Sequence, residues 1–369
     1  MIAQLISFLR SNPDQVQPFS EKVGINFAHI NDVLKEEDKF SFNDLKQLSD
    51  KLKISINQLL SNKTNEINFQ FRSNAVNINQ VIIEERVNNI IDTIHPIVTE
   101  YGRLSSIANR DEFVFPDDPY VAADIVRAAL LDEDASRPIL DLAQLLCERL
   151  NIYLIINGIG ADGVSAFIDG YAYIIVSPRF GARMLFTLAH ELGHLVLQHH
   201  QNALQIDFGG INTFRKKNIP DYERYANAFA SQLLMPKHEL GKALIKFKRN
   251  NNIPFDYVGD IDIIFLAYYF GTSFEVAAMR CEQLNLIEKG GARSLYEKVV
   301  KEYKSPEKRG KDVGLERVIE SIFPNVASPN LLRCMFNAIE NGDISASKVA
   351  TLFGINIQQL FTFHSAVGQ

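Results

Sequence analysis

The stretch Leu188-Ala189-His190-Glu191-Leu192-Gly193-His194-Leu195 restricts this chain more than any other. Two histidines stand four residues apart, with a glutamate directly after the first. On a helix, positions i and i+4 share a face, so both imidazoles reach a single metal ion. Glu191 then lies beside that ion, placed to take a proton from a water. The run from Met184 to Leu197 is mostly apolar and free of proline, which predicts a buried helix. Such a site needs a third protein ligand, so a second element must pack against this helix.

Zinc held by two histidines commonly takes a carboxylate as its third ligand and keeps a fourth position for water. A second patterned helix is predicted from Asp221 to Met235, stopped at Pro236, and it opens Asp221-Tyr222-Glu223-Arg224-Tyr225-Ala226-Asn227. Glu223 suits the third position. Asn227, one turn on, is placed to bind the far nitrogen of a metal-bound histidine and set its tautomer. Ala226 and Ala230 are small, as two helices packed closely across a metal require. Asp221 is the competing ligand; its other reading is a helix cap, where an aspartate meets unpaired backbone N–H groups. Tyr222 and Tyr225 are either oxyanion donors or packing residues.

The other bounds are broad. A chain of 369 residues has room for two or three cores. Its formal net charge of −6 gives no global drive toward nucleic acid or anionic membrane. Cys147, Cys281 and Cys334 are far apart and odd in number, which argues against a disulfide framework and thiolate zinc sites. Neither a signal peptide nor a membrane span is read; Ile261 to Phe270 is too short and carries Asp262. A cytoplasmic protein is the expectation.

Residues 3 to 61 read as a bundle of short helices. Phe19-Ser20-Glu21-Lys22-Val23-Gly24-Ile25-Asn26 gives a helix, a glycine stop and a new cap. The pattern FSEKVGINFAHINDVL…FSFNDLKQLSDKLKISINQLL resembles the helix-turn-helix domain of the Xre/Cro repressor family. The resemblance places a recognition helix at about Asn26 to Leu34 and makes Asn26, His29 and Asn31 candidate DNA contacts. That helix lacks the Arg, Lys and Gln that usually meet phosphates and base edges. Residues 1–62 hold seven Lys/Arg against eight Asp/Glu, a net of −1, where a DNA-binding domain should be basic. Dimerisation or recognition of another protein is the other use of such a bundle.

An Asn-rich stretch at 61 to 80 reads as linker, followed by a helix from Val81 to Tyr101. Helices are predicted at Tyr120–Leu131 and Ile139–Leu150. Strands follow at Ile152–Ile156, Val164–Ile168 and Tyr171–Val176, the last two a hairpin across Asp169-Gly170. The segment from Asn202 to Pro220, with Gly209-Gly210 and Arg215-Lys216-Lys217, reads as an exposed loop. Helices continue at Lys237–Phe247, Ile261–Phe270 and Ser273–Leu284, and the chain ends in further helices.

FTLAHELGHLVLQH followed by ExxANxFASQLLMP resembles the ImmA/IrrE family of zinc metallopeptidases. Arg183, Phe186 and Thr187 stand in that family's approach to the motif, and Phe229, Leu233, Leu234, Met235 and Pro236 match its tail. FQFRS at Phe69 to Ser73 and AIENGDISASKVATLFGI near the C-terminus extend the likeness loosely. One departure is Gln198, where the family often has histidine; His199 and His200 read as solvent-facing. The resemblance implies an α+β, mostly helical chain. Its parts would be a helix-turn-helix bundle at 1–62, a linker and helix at 63–115, a gluzincin-like domain with a small three-stranded sheet at 116–290, and a helical region at 291–369.

By the same resemblance Zn2+ is held by His190, His194 and Glu223, Glu191 is the general base, and Asn227 supports a ligand. The implied activity is endopeptidase cleavage of a specific DNA-binding repressor or antitoxin-like protein in a stress or mobile-element response. The alternative is a DNA- or toxin-binding regulator in which the zinc domain is a sensor or scaffold. A homo-oligomer is compatible with either.

Overall fold

The computed structural model describes residues 2–52, 56–60, 68–70, 78–108, 115–132, 134, 136–197, 203–207, 221–317 and 320–367. Most of the expected linker (61–67 and 71–77) lies outside them. So do Gln198, His199 and His200, and Gly209, Gly210 and Arg215 to Lys217. The chain divides into two compact units, Met1–His95 and Pro96–Gln369.

The first unit holds α1 (Ile2–Ser11), α2 (Val16–Val23), α3 (Phe27–Leu34), α4 (Phe42–Leu52), α5 (Ile56–Leu60), β1 (Asn68–Gln70) and most of α6 (Ile78–Tyr101). Leu5, Leu9, Phe19, Val23, Ile30, Leu48 and Leu52 are buried together, each contributing roughly 1.5–3 kcal/mol. Gly24 ends α2 in the left-handed conformation (φ 74°), and its N–H donates to the Ser20 carbonyl at 2.8 Å. Asn26 then caps α3, its Oδ1 accepting from Ala28 N at 2.8 Å. Arg86 Nε donates to the Leu52 carbonyl at 2.7 Å, fastening α6 to the end of α4.

The second unit is built on the strands β2 (Tyr153–Ile156), β3 (Gly163–Ile168), β4 (Tyr171–Val176) and β5 (Ala203–Asp207), in the order β5-β3-β4-β2. The β3–β4 pair is antiparallel with Ile168 opposite Tyr171. Its two-residue turn has Asp169 at φ 50° and Gly170 at φ 85°, the geometry that matches strand twist. β2 runs parallel to β4, Tyr153 opposite Tyr173. The three expected strands form the body of this sheet. The difference is β5, which lies in the stretch read as loop and pairs antiparallel with β3, Val164 opposite Ile206. Its alternation is too short to separate from loop composition, and pairing with β3 supplies the backbone partners that make it a strand.

Side chains alternate across the sheet. Leu154, Ile156, Ala172, Ile174 and Val176 join the main core with α7 (Pro119–Leu131), α8 (Leu142–Leu150), α9 (Gly181–Val196) and α10 (Asp221–Leu234). On the opposite face Tyr153 and Tyr173 lie 5.7 Å apart between ring centroids. The outer edge of β2 is covered by the segment 326–328: Ile156 N donates to Val326 O at 2.8 Å and Ser328 N to Leu154 O at 2.9 Å. That segment leads into α16 (Pro329–Glu340). Helices α11 (Lys237–Asn250), α12 (Asp260–Tyr269), α13 (Phe274–Gln283) and α14 (Gly291–Tyr303) complete the core around α10, and α15 (Pro306–Asp312), α17 (Ala346–Phe353) and α18 (Ile357–Val367) are the other helices described in this unit. No single described helix is long and apolar enough to cross a membrane.

Two buried arginines finish α10, which leaves its last carbonyls without helical partners. Arg127 Nη1 donates to Leu233 O at 2.5 Å, and Arg280 Nε donates to Met235 O at 3.0 Å. Burial lowers the Arg127 guanidinium to about 10 and lowers Arg280 as well. Both cations stand at the negative end of the helix dipole, which offsets part of their desolvation.

Candidate metal centre

The centre sits where α9 crosses α10. Every residue of α9 from Met184 to Val196 is buried, so the helix is held by core contacts on all sides. At Gly193 the two helices touch backbone to backbone: a Cβ added there would stand 3.2 Å from Ala226 Cα and 3.3 Å from Ala226 O. That approach explains why the sequence pairs a glycine inside the motif with alanine on the facing helix.

His190, His194 and Glu223 are brought together by this crossing, all three buried. His190 Nε2 and His194 Nε2 are 3.0 Å apart, and each lies 3.4 Å from a different Glu223 oxygen. A metal ion about 2.0–2.1 Å from each of four tetrahedral ligands requires ligand atoms roughly 3.3 Å apart. Two imidazole nitrogens and a carboxylate at 3.0, 3.4 and 3.4 Å fit that demand. Their chemistry also suits a divalent cation: one negative charge and two aromatic nitrogens in a dry setting. Asn227 Oδ1 lies 3.1 Å from His190 Nδ1. With the proton on Nδ1 donated to that oxygen, the lone pair on Nε2 faces the centre.

Glu191 is fully buried beside the histidines. Its Oε2 accepts from Ser165 Oγ at 2.8 Å, a bond from β3 to α9 that fixes the rotation of the carboxylate. Gly163, two residues earlier on the same side of β3, leaves room for it: a Cβ there would come within 2.6 Å of Glu191 Oε1. Sequence reasoning missed Ser165 and Gly163. The available signal was a lone hydroxyl in the otherwise apolar run Val164-Ser165-Ala166-Phe167-Ile168, on a predicted strand.

The other candidates are placed elsewhere. Asp221 is solvent-exposed and paired with Arg224, and it is not among the three clustered side chains. Tyr222 lies with its ring 6.2 Å from that of His194, and Tyr225 is exposed. Arg183 donates to Asp162 at 2.6 Å, joining the first turn of α9 to the start of β3. In the first unit, Asn26 is engaged as the α3 cap. His29 is held on both nitrogens, Nδ1 at 3.1 Å from Asp38 and Nε2 at 3.1 Å from Asp44. Burial acts to raise the Asp44 carboxyl, but hydrogen bonds from the Ser41 hydroxyl, the Ser41 N–H and His29 outweigh it, and the net shift is downward. Asn31 is half-buried on α3.

Comparison with curated proteins finds no match to this chain. Residues 147–282, which span all three clustered side chains and Glu191, match the family model described as Peptidase_M78, the IrrE N-terminal-like domain, and this supports placing that part of the chain with the ImmA/IrrE family of peptidases.

Proposed function

We propose that the second unit is a zinc-dependent endopeptidase. The observation that carries the reading is the convergence of His190, His194 and Glu223 on one buried point, with Glu191 locked beside it by Ser165. Zn2+ held by those three residues would supply Lewis-acid polarisation of a scissile carbonyl and activation of a water. Glu191 takes the proton from the attacking water on its carboxylate and returns it to the leaving amine. Ser165 keeps that carboxylate aimed, and Asn227 keeps the His190 lone pair turned inward. Burial of His190, Glu191, His194 and Glu223 lowers the local dielectric and strengthens each electrostatic contact.

The substrate we propose is a specific protein of the repressor or antitoxin-like class, recognised by a chain whose own net charge is −6 and therefore suited to a basic target. Glu191→Gln tests this reading. Co-expressed with the protein encoded next to it, the wild-type chain should yield a truncated product. Glu191→Gln should lower its formation by about 10²- to 10⁴-fold while keeping metal and fold. Equal cleavage by the variant would remove the peptidase reading.

A second reading, a regulator acting through residues 1–62, draws on the capped turn between α2 and α3. The engagement of His29 by two aspartates and the net charge of −1 favour protein recognition over DNA for that unit. Promoter DNA shifted in a salt-dependent way by the full chain would reverse that preference.

A further inference from the structure

A cavity of about 970 Å³ opens within the second unit, beside the tyrosine-bearing face of the sheet and away from the metal centre. It lies between the segment after α6, the end of α8, the start of β2 and the start of α16. Its size suits a small organic ligand.

The walls are joined by a specific set of hydrogen bonds. Tyr153 Oη accepts from Arg103 N at 2.8 Å and donates to Arg103 O at 2.9 Å. Gly102 permits that approach, since a Cβ there would meet Tyr153 Oη at 2.4 Å. Asn151, in the left-handed conformation at φ 47°, ties the other side. Its Nδ2 donates to Arg103 O at 2.6 Å, and its Oδ1 accepts from Asn330 Nδ2 at 3.0 Å. The backbone of Arg103 and the first turn of α16 are thus fixed to one another through a single asparagine.

The lining also carries positive charge, on two solvent-exposed side chains. Arg103 and Arg333 both line the cavity, and Arg333 stands one turn beyond Asn330 on α16. Among the described residues neither guanidinium has a hydrogen-bond or ion-pair partner. The third arginine, Arg149, is engaged by Asp132 at 2.5 Å, and the rim carboxylate Glu148 accepts from Gln144 at 2.8 Å. Leu104, 59% exposed, and Phe323 add apolar surface to the lining.

Guanidinium forks match phosphate oxygens in pairs, and two of them suit a doubly charged group better than a single carboxylate. We propose that this cavity binds a small phosphomonoester, its phosphate received by Arg103 and Arg333 and its body laid against Leu104 and Phe323. The site stands on side chains separate from His190, His194 and Glu223, so it does not depend on the peptidase reading.

Titration calorimetry on the full-length chain tests it, with AMP, ribose 5-phosphate and inorganic phosphate at about 50 mM salt, where screening is modest. AMP should bind, and more tightly than inorganic phosphate. Arg103→Gln and Arg333→Gln should each weaken AMP by about tenfold or more, the loss of a charged hydrogen bond. His194→Ala should leave AMP affinity unchanged, which separates this site from phosphate captured by a metal. A measurement that needs no variant is salt: raising it several-fold should weaken AMP binding severalfold. No binding of any probe, unchanged affinity in the double variant Arg103→Gln/Arg333→Gln, or loss in His194→Ala would overturn the assignment. Inorganic phosphate binding as tightly as AMP would overturn the ester.

Discussion

His29 and His190 each sit on a helix that the sequence marks as functional, and each lies near carboxylates, yet their surroundings differ in kind. His29 is partly exposed, and its two nitrogens are divided between Asp38 and Asp44 on the loop and helix that follow. Both contacts are local, so the side chain ties α3 to its neighbours. His190 is buried, gives one nitrogen to Asn227, and turns the other toward His194 and Glu223. Only the second arrangement converges: three atoms able to bind a metal, carried by two helices, come together in one buried cluster. A histidine's use is therefore set by whether its contacts disperse or meet, and burial alone does not decide it.

Changes on the two sides should differ in size accordingly. Asn227→Ala removes the partner of His190 Nδ1, and zinc affinity should fall by about 10- to 100-fold, measured by competition with a chelator. Loss of less than a few-fold would mean that the His190 tautomer is set by something else. Ser165→Ala leaves a fully buried carboxylate short of a donor and should destabilise the second unit by about 1–3 kcal/mol in urea unfolding. It should also lower turnover with metal content unchanged. His29→Ala breaks two partly exposed contacts and should cost the first unit less than about 1 kcal/mol, with no change in metal content. A large effect of His29→Ala on the metal would break the contrast drawn between the two histidines.

Much of the centre is legible in the chain because it is written at short range. The i, i+4 spacing of His190 and His194 and the offset from Glu223 to Asn227 are helix geometry. The Asp169-Gly170 hairpin is turn chemistry, observed with both residues at positive φ. What sequence cannot display is contact between distant elements. Ser165 meets Glu191 across twenty-six positions, and Arg280 reaches the Met235 carbonyl across forty-five. β5 pairs with β3, a partner more than thirty residues earlier that its own short sequence does not announce. The Asp38 and Asp44 contacts of His29 likewise depend on how the chain folds back after α3. Sequence therefore suggested which residue types could act, and the packing decided which of them meet.

Metal content by mass spectrometry of purified protein tests the central claim most directly. Chains prepared with zinc present should carry one zinc each, Glu191→Gln should keep it, and His194→Ala and Glu223→Ala should lose it. Wild-type protein without zinc, or Glu223→Ala retaining one zinc per chain, would contradict the three-residue centre.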